Sequence, residues 1–173
     1  MYFKPLIVLS FILLFTSCKK TQEDTTTENE VEQNKTQEIT EQDVSRLKYV
    51  EYILDPKTEE TIKDWAEYEQ LNAIIDNVKK GDLSYFNDNE KVIQLLIKEL
   101  KQNIPAALNS ESILSRLLVL ETKLLKLESL SNLTTTSKEE LLENIKEFLV
   151  AFSNLSFQMN KKIEFDNRSI EKP

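Results

Sequence analysis

Apolar and polar residues follow three different patterns along this chain. Residues 6–15 are almost continuously apolar, residues 19–43 are almost entirely polar, and from residue 44 onward apolar residues recur at intervals of three and four. Intervals of three and four place side chains on one face of an α-helix. Period-two alternation is absent, and one glycine with four prolines leaves few residues for the turns of a sheet. The third pattern therefore predicts an all-α domain.

Helix ends are marked by residues that suit them. Pro56 is expected in a first helical turn, and Gly81 is expected just after a last one. Ser137 and Glu140 have the spacing of a capping box. We therefore expect a short extra helix at residues 44–54 and four longer helices, which begin near residues 56, 87, 109 and 137, the last reaching about residue 166.

The last two helices carry the strongest packing pattern. Apolar residues step by three and four in both, as at Leu117, Leu120 and Leu124 and at Ile145, Phe148 and Phe152. Such seams interdigitate, and the short connection at residues 129–137 requires an antiparallel pair. The predicted fold is an antiparallel four-helix bundle of up-down topology at about residues 56–166, with the short extra N-terminal helix. We expect a monomer, since bundles of this length usually bury their own seams.

The first apolar run ends at the only cysteine of the chain. Lys4, the apolar run and a short polar stretch before Cys18 follow the order of an export signal. The residues Leu14-Phe15-Thr16-Ser17-Cys18 resemble the lipobox of bacterial lipoprotein precursors. A transmembrane anchor is the first alternative, but the run is half the roughly 20 residues that a span needs. An ordinary signal peptide is the second, and its peptidase prefers small residues where Phe15 stands.

The resemblance to lipoproteins implies a location. Residues 1–17 would be a signal peptide, and the sulfur of Cys18 would carry a diacylglycerol, whose two chains hold a protein at a membrane far more firmly than one. In that family Lys19, rather than an aspartate, favours the outer membrane of the cell envelope. Whether the domain faces the periplasm or the cell exterior stays open.

The polar stretch after the cysteine is expected to be a tether. Residues 19–43 contain three lysines, eight acidic residues and only two aliphatic residues, Val31 and Ile39. Such a composition buries too little apolar surface to offset the entropy of ordering. The predicted organisation is a signal peptide at 1–17, the lipidated cysteine and a disordered acidic tether at 18–43, a helical domain at 44–166 and a frayed tail at 167–173.

Composition argues against several kinds of chemistry. The chain has no histidine, which removes the commonest general base and the commonest transition-metal ligand. A single glycine does not allow a phosphate-binding loop. Thirty acidic residues against twenty-two basic ones disfavour nucleic acid as a partner. We therefore expect no enzyme, no cofactor and no metal.

Two acidic segments could form a metal site or a catalytic site. Residues 81–90 hold several oxygen ligands that could suit calcium, but their spacing is not that of an EF-hand loop, and helix capping is the preferred interpretation. Glu139, Glu140 and Glu143 could form a catalytic carboxylate cluster. They stand in the first turns of a helix, where the helix dipole favours acidic residues in any case.

A candidate partner contact lies on the last helix. At 100° per residue, Val150 and Phe157 fall nearly opposite the Phe148 and Phe152 seam, with Asn154 between them. An exposed patch of this kind would mark an interaction site. The alternative is that the segment at residues 44–54 covers this face as part of a satellite core.

These features predict a membrane-anchored envelope lipoprotein whose helical bundle binds a protein partner without catalysis. The alternative is a carrier or sensor of a small molecule or lipid, with an apolar pocket between the helices lined by Trp65, Phe148 and Phe152. The carrier predicts an internal cavity, whereas the interaction module predicts a tight core and an exposed patch.

Overall fold

The computed structural model describes residues 38–168, and the described part is helical. Within this range there are six α-helices, one 3-10 turn at Ser84–Phe86 and no strand. The helices are α1 Glu41–Ser45, α2 Pro56–Ile62, α3 Ala66–Lys79, α4 Glu90–Gln102, α5 Glu111–Ser131 and α6 Lys138–Asp166. The prediction of an all-α domain is confirmed for these residues. None of the helices at residues 38–168 is both long enough and apolar enough to cross a bilayer.

Helices α5 and α6 form the centre of the core. The α5 residues that step by three and four are all buried, and so is most of the matching stripe on α6. Lys123 on α5 contacts Glu147 near the start of α6 at 3.0 Å, while Ser112 lies within hydrogen-bond distance of Gln158 farther along. These two pairs show that α5 and α6 run antiparallel.

Helices α4 and α3 extend this core. Lys101 at the end of α4 pairs with Glu121 of α5 at 2.7 Å, and Asn132 just after α5 accepts a hydrogen bond from the Asp88 N–H. Helices α4 and α5 are therefore antiparallel. Asn103, just after α4, donates to Glu67 at the start of α3. One connected hydrophobic core includes buried residues of all six helices.

The first long helix of the prediction is divided in two. Its start at Pro56 is confirmed, but α2 ends at Ile62, and Trp65 stands in a non-helical conformation before α3. The Trp65 N–H donates to the Ile62 carbonyl at 2.8 Å, which closes a tight turn. The turn places the buried indole against Tyr68, with ring centroids 5.4 Å apart. The apolar spacing gives no sign of this break.

The predicted helix at residues 44–54 is wrong. Helix α1 ends at Ser45, and residues 46–55, which we call the strap, contain no helix. The strap connects two points on α6. Before it, Asp43 of α1 pairs with Lys138 at the start of α6, and at its end Asp55 is hydrogen-bonded to Asn160. Lys138 and Asn160 are 22 residues apart on α6, which corresponds to about 33 Å. An extended chain of twelve residues covers this distance, whereas a helix of that length would cover only about half.

Folded residues are present before the predicted domain start at residue 44. Ile39 is buried, and Thr40 forms a capping box with Asp43 at the start of α1. Gly81 lies against this segment: it has φ +81°, and a Cβ there would come within 2.7 Å of the Thr40 backbone. Residues 39–43 therefore belong to the helical domain and not to the tether.

The remaining N-terminal predictions concern residues outside the described range. These are the signal peptide at 1–17, lipidation at Cys18 and most of the tether. Of the predicted tail at 167–173, Asn167 and Arg168 are described. Asn167 donates to the Ile163 carbonyl at 2.7 Å, and Arg168 pairs with Glu164 at 2.6 Å.

Candidate interaction surface on α6 and the strap

The strap passes over the face of α6 that carries the predicted contact residues. Val150 and Asn154 are partly buried there, and Phe157 is 37% exposed. The ring of Tyr52, on the strap, lies against Phe157 with centroids 4.6 Å apart. The segment at residues 44–54 thus does contact this face, but as an extended chain.

Ser153 holds the first part of the strap. Its hydroxyl donates to the Val50 carbonyl at 2.8 Å and accepts from the Tyr52 N–H at 2.7 Å. Ser153 is buried on α6, so both bonds are shielded from water. One short side chain therefore satisfies a backbone acceptor and a backbone donor two residues apart.

Asn160 holds the second part in the same way. Its Nδ2 group donates to the Ile53 carbonyl at 2.8 Å, and its Oδ1 atom accepts from the Asp55 N–H at 2.9 Å. Four backbone groups of the strap thus receive from α6 hydrogen bonds that they would make internally in a helix. This explains why helical spacing failed as a guide for these residues.

Sequence reasoning did not identify Ser153 and Asn160 as functional residues. They stand seven positions apart and so lie on one face of a helix. Helical serines commonly bond the carbonyl four residues earlier, as Ser115 and Ser131 do, so the sequence carries no signal for the contacts of Ser153.

Three large apolar side chains of the strap are exposed. Val50 is 64% exposed, Ile53 80% and Tyr52 40%, and Phe157 of α6 adjoins Tyr52. We call these four residues the strap patch. Single exposed apolar residues are common, but three within four positions, next to Phe157, make this segment a candidate interaction surface.

Charged residues frame the strap patch. Glu51 of the strap pairs with Lys79 at the end of α3. Lys161 lies 5.7 Å from the centre of the Phe157 ring and 2.6 Å from Glu164. Hydrogen bonds from Lys161 and then Arg168 lower the pKa of Glu164 to about 2. The patch therefore has an apolar centre and a rim of paired charges, the arrangement usual in protein interfaces.

The segment at residues 81–90 is shaped by turns. The Asp82 carboxylate accepts from the Ser84 N–H at 2.9 Å, and the hydrogen bonds from Ser84 lower the pKa of Asp82. Asp88 has φ +51°, and α4 begins at Glu90, three residues after the predicted start. Within residues 38–168, no group of three or more acidic or cysteine residues is arranged to hold a metal ion.

The glutamates at the start of α6 occupy a helix N-terminus. Glu139 and Glu140 lie in its first turn, and the Ser137 hydroxyl accepts from the Glu140 N–H at 3.1 Å. Ser137 is thus confirmed as the N-cap, which supplies one of the two hydrogen bonds of the predicted capping box. Glu143 pairs with Lys146 on the same helix.

The aromatic residues proposed to line a ligand pocket fill space against one another. Tyr68 stacks between Trp65 and Phe152, with ring centroids 5.4 and 5.8 Å apart. Phe148 is fully buried. Four surface clefts of the described part, of about 250 to 550 Å³, are lined by other residues. The column Trp65–Tyr68–Phe152 therefore has the form of a packed core.

Comparison with known proteins gives no family for this chain. No protein-family model matches the sequence, and no curated protein or solved structure is significantly similar to it. Function must therefore be inferred from the residues and geometry described above.

Proposed function

We propose that this protein is a lipid-anchored lipoprotein of the bacterial cell envelope whose helical domain binds a protein partner without catalysis. The observation that carries the proposal is the strap patch, where Val50, Tyr52 and Ile53 are exposed beside Phe157. The lipobox-like residues ending at Cys18 support the anchor. The lipid would fix the location, the tether would set the reach, and the strap patch would make the contact.

The up-down four-helix bundle belongs to the same proposal. Helices α2 and α3 together would provide the first helix, followed by α4, α5 and α6. The polar pairs that join α3 to α4, α4 to α5 and α5 to α6 support alternating directions. A tightly filled aromatic column supports an interaction module over a carrier, because a carrier needs an internal cavity.

Photo-crosslinking in cells tests the proposed interaction. A photoreactive residue at Ile53, in the strap patch, is compared with one at Leu118, which is also an exposed apolar position but lies on α5. We expect a discrete heavier band from position 53 and none from position 118. A lipidated, folded protein that gives no band from position 53 would contradict the proposal.

A further inference from the structure

The hydrogen bonds between α6 and the strap recognise a backbone. Ser153 and Asn160 each bind one carbonyl and one N–H that are two residues apart in the strap. No strap side chain takes part in these four bonds. Recognition of main-chain groups is how proteins bind extended peptides with limited dependence on sequence.

The spacing on α6 matches the repeat of an extended chain. Ser153 and Asn160 are seven residues apart, which is about 10.5 Å along a helix. The midpoints of the two backbone pairs, at residues 51 and 54, are three residues apart, which is about 10 Å in an extended chain. Two side chains two turns apart on a helix therefore meet an extended backbone in register.

Side chains of the strap contribute as well: Leu47, Tyr49 and Leu54 are partly buried against the core. Val50 and Ile53 face mainly away from α6, while the Tyr52 ring lies against Phe157. A ligand of this face needs an extended backbone, an aromatic residue at the position of Tyr52 and an apolar residue at the position of Leu54. Its residues at the positions of Val50 and Ile53 would be free to vary.

We propose that the α6 face carrying Ser153, Phe157 and Asn160 is a binding site for an extended peptide with an aromatic residue, and that the strap occupies it as a built-in ligand. A segment of a partner protein would replace the strap, and the exposed Val50 and Ile53 of the displaced strap would remain able to contact the same partner. This inference deepens the proposed function by naming the kind of partner, and it rests on that function.

Replacement of the strap is a competition between an attached and a free ligand. A short covalent connection gives the strap an effective concentration on the order of millimolar. A free peptide therefore binds the wild-type protein only through the fraction in which the strap is open. Weakening the strap alone, without changing α6, should expose the site.

The test measures binding of a fluorescently labelled peptide of residues 47–55 to the full chain in detergent, by fluorescence anisotropy. Tyr52→Pro in the protein removes the N–H that Ser153 binds and the ring that contacts Phe157. We expect this variant to bind the peptide at least tenfold more tightly than wild type. Adding Ser153→Ala and Asn160→Ala should abolish the gain, and a peptide with its own Tyr52→Pro change should not bind.

The proposal is overturned if Tyr52→Pro keeps its helical circular dichroism but binds no more tightly than wild type. It is also overturned if the gain survives Ser153→Ala and Asn160→Ala. Should Tyr52→Pro lose its helicity, Tyr52→Ala replaces it, with an expected gain of at least threefold over wild type. If the peptide does not bind but position 53 still gives a crosslink in cells, only the proposed peptide site is rejected. If the peptide binds but position 53 gives no crosslink, the proposed envelope partner is rejected.

Discussion

At the scale of single residues, Ser153 is expected to matter more than its small size suggests. Ser153→Ala removes two hydrogen bonds to the strap and leaves the Val50 carbonyl and the Tyr52 N–H without that partner. Each bond contributes about 0.5–1.5 kcal/mol, so the free energy of unfolding should fall by about 1–3 kcal/mol. Urea unfolding measures this. Ser115→Ala, which removes only a bond within α5, should change it by less than about 0.5 kcal/mol.

Gly81 is the second residue at which a single change should have a large effect. Gly81→Ala places a Cβ about 2.7 Å from the Thr40 backbone in a conformation with φ +81°. Both the close contact and the left-handed backbone disfavour alanine, so we expect a loss of about 1–3 kcal/mol. Thermal unfolding measures it. Asp88→Gly, at another position of positive φ, serves as the control and should not lower the melting temperature.

At the scale of elements, the N-terminus of α1 should be sensitive to acid. Hydrogen bonds from Lys138 and then Thr40 lower the pKa of Asp43 from 3.8 to about 2. Because this pKa is lower in the folded protein than in the unfolded chain, the ionised carboxylate stabilises the fold above pH 3.8. That stabilisation is lost as the pH falls through about 2.

The variant that tests this acid sensitivity is Asp43→Asn. It should lower the free energy of unfolding at neutral pH and make that free energy fall less steeply with acid than in wild type. Asp64→Asn, at an exposed position, is the matched control and should leave the free energy of unfolding at neutral pH within about 0.5 kcal/mol of wild type. An Asp43→Asn profile parallel to that of wild type would show that the ion pair with Lys138 is not formed.

The strap should show an uneven pattern of amide hydrogen exchange. The N–H groups of Tyr52 and Asp55 donate to side chains of α6, whereas no bond is found for the N–H groups of Glu51 and Ile53 within the described residues. We therefore expect slower exchange at Tyr52 and Asp55 than at their neighbours. Uniform protection across residues 50–55 would instead indicate the helix that the sequence pattern predicted.

The strap also shows where sequence reasoning reaches its limit. The starts of α2 at Pro56 and of α6 after Ser137 were predictable because the decisive residues are local. At the strap the decisive residues are Ser153 and Asn160, about a hundred positions away, and no local pattern contains them. The apolar spacing of residues 44–54 was real, but tertiary hydrogen bonds replaced the helical ones.

The candidate site was predictable only in part for the same reason. Helical periodicity placed Val150, Asn154 and Phe157 on one face of α6, and the structure brings Phe157 against the strap. The exposure of Val50 and Ile53 could not be derived, since helical spacing assigned residues 44–54 to the wrong element. Periodicity shows which residues share one face of a helix, whereas the segment that packs against that face depends on the fold of the whole chain.

At the scale of the whole molecule, the proposed anchor depends on one sulfur atom. Within residues 38–168 no helix is both long enough and apolar enough to cross a bilayer. Under the lipoprotein proposal, Cys18→Ser removes the site of the diacylglycerol and leaves the helical domain intact. We expect the wild-type protein in the membrane fraction and Cys18→Ser released from it, as measured by fractionation and immunoblotting.

Mass spectrometry distinguishes lipidation from other causes of membrane association. The mature wild-type protein should begin at Cys18 and carry the mass of at least a diacylglyceryl group, whereas Cys18→Ser should lack that mass. Ser17→Ala keeps a small residue before the cysteine and is the control, which should be lipidated as in wild type. An unmodified Cys18 in a membrane-bound protein would refute the lipid anchor, and the interaction proposed for the strap patch would then need a different explanation for its location.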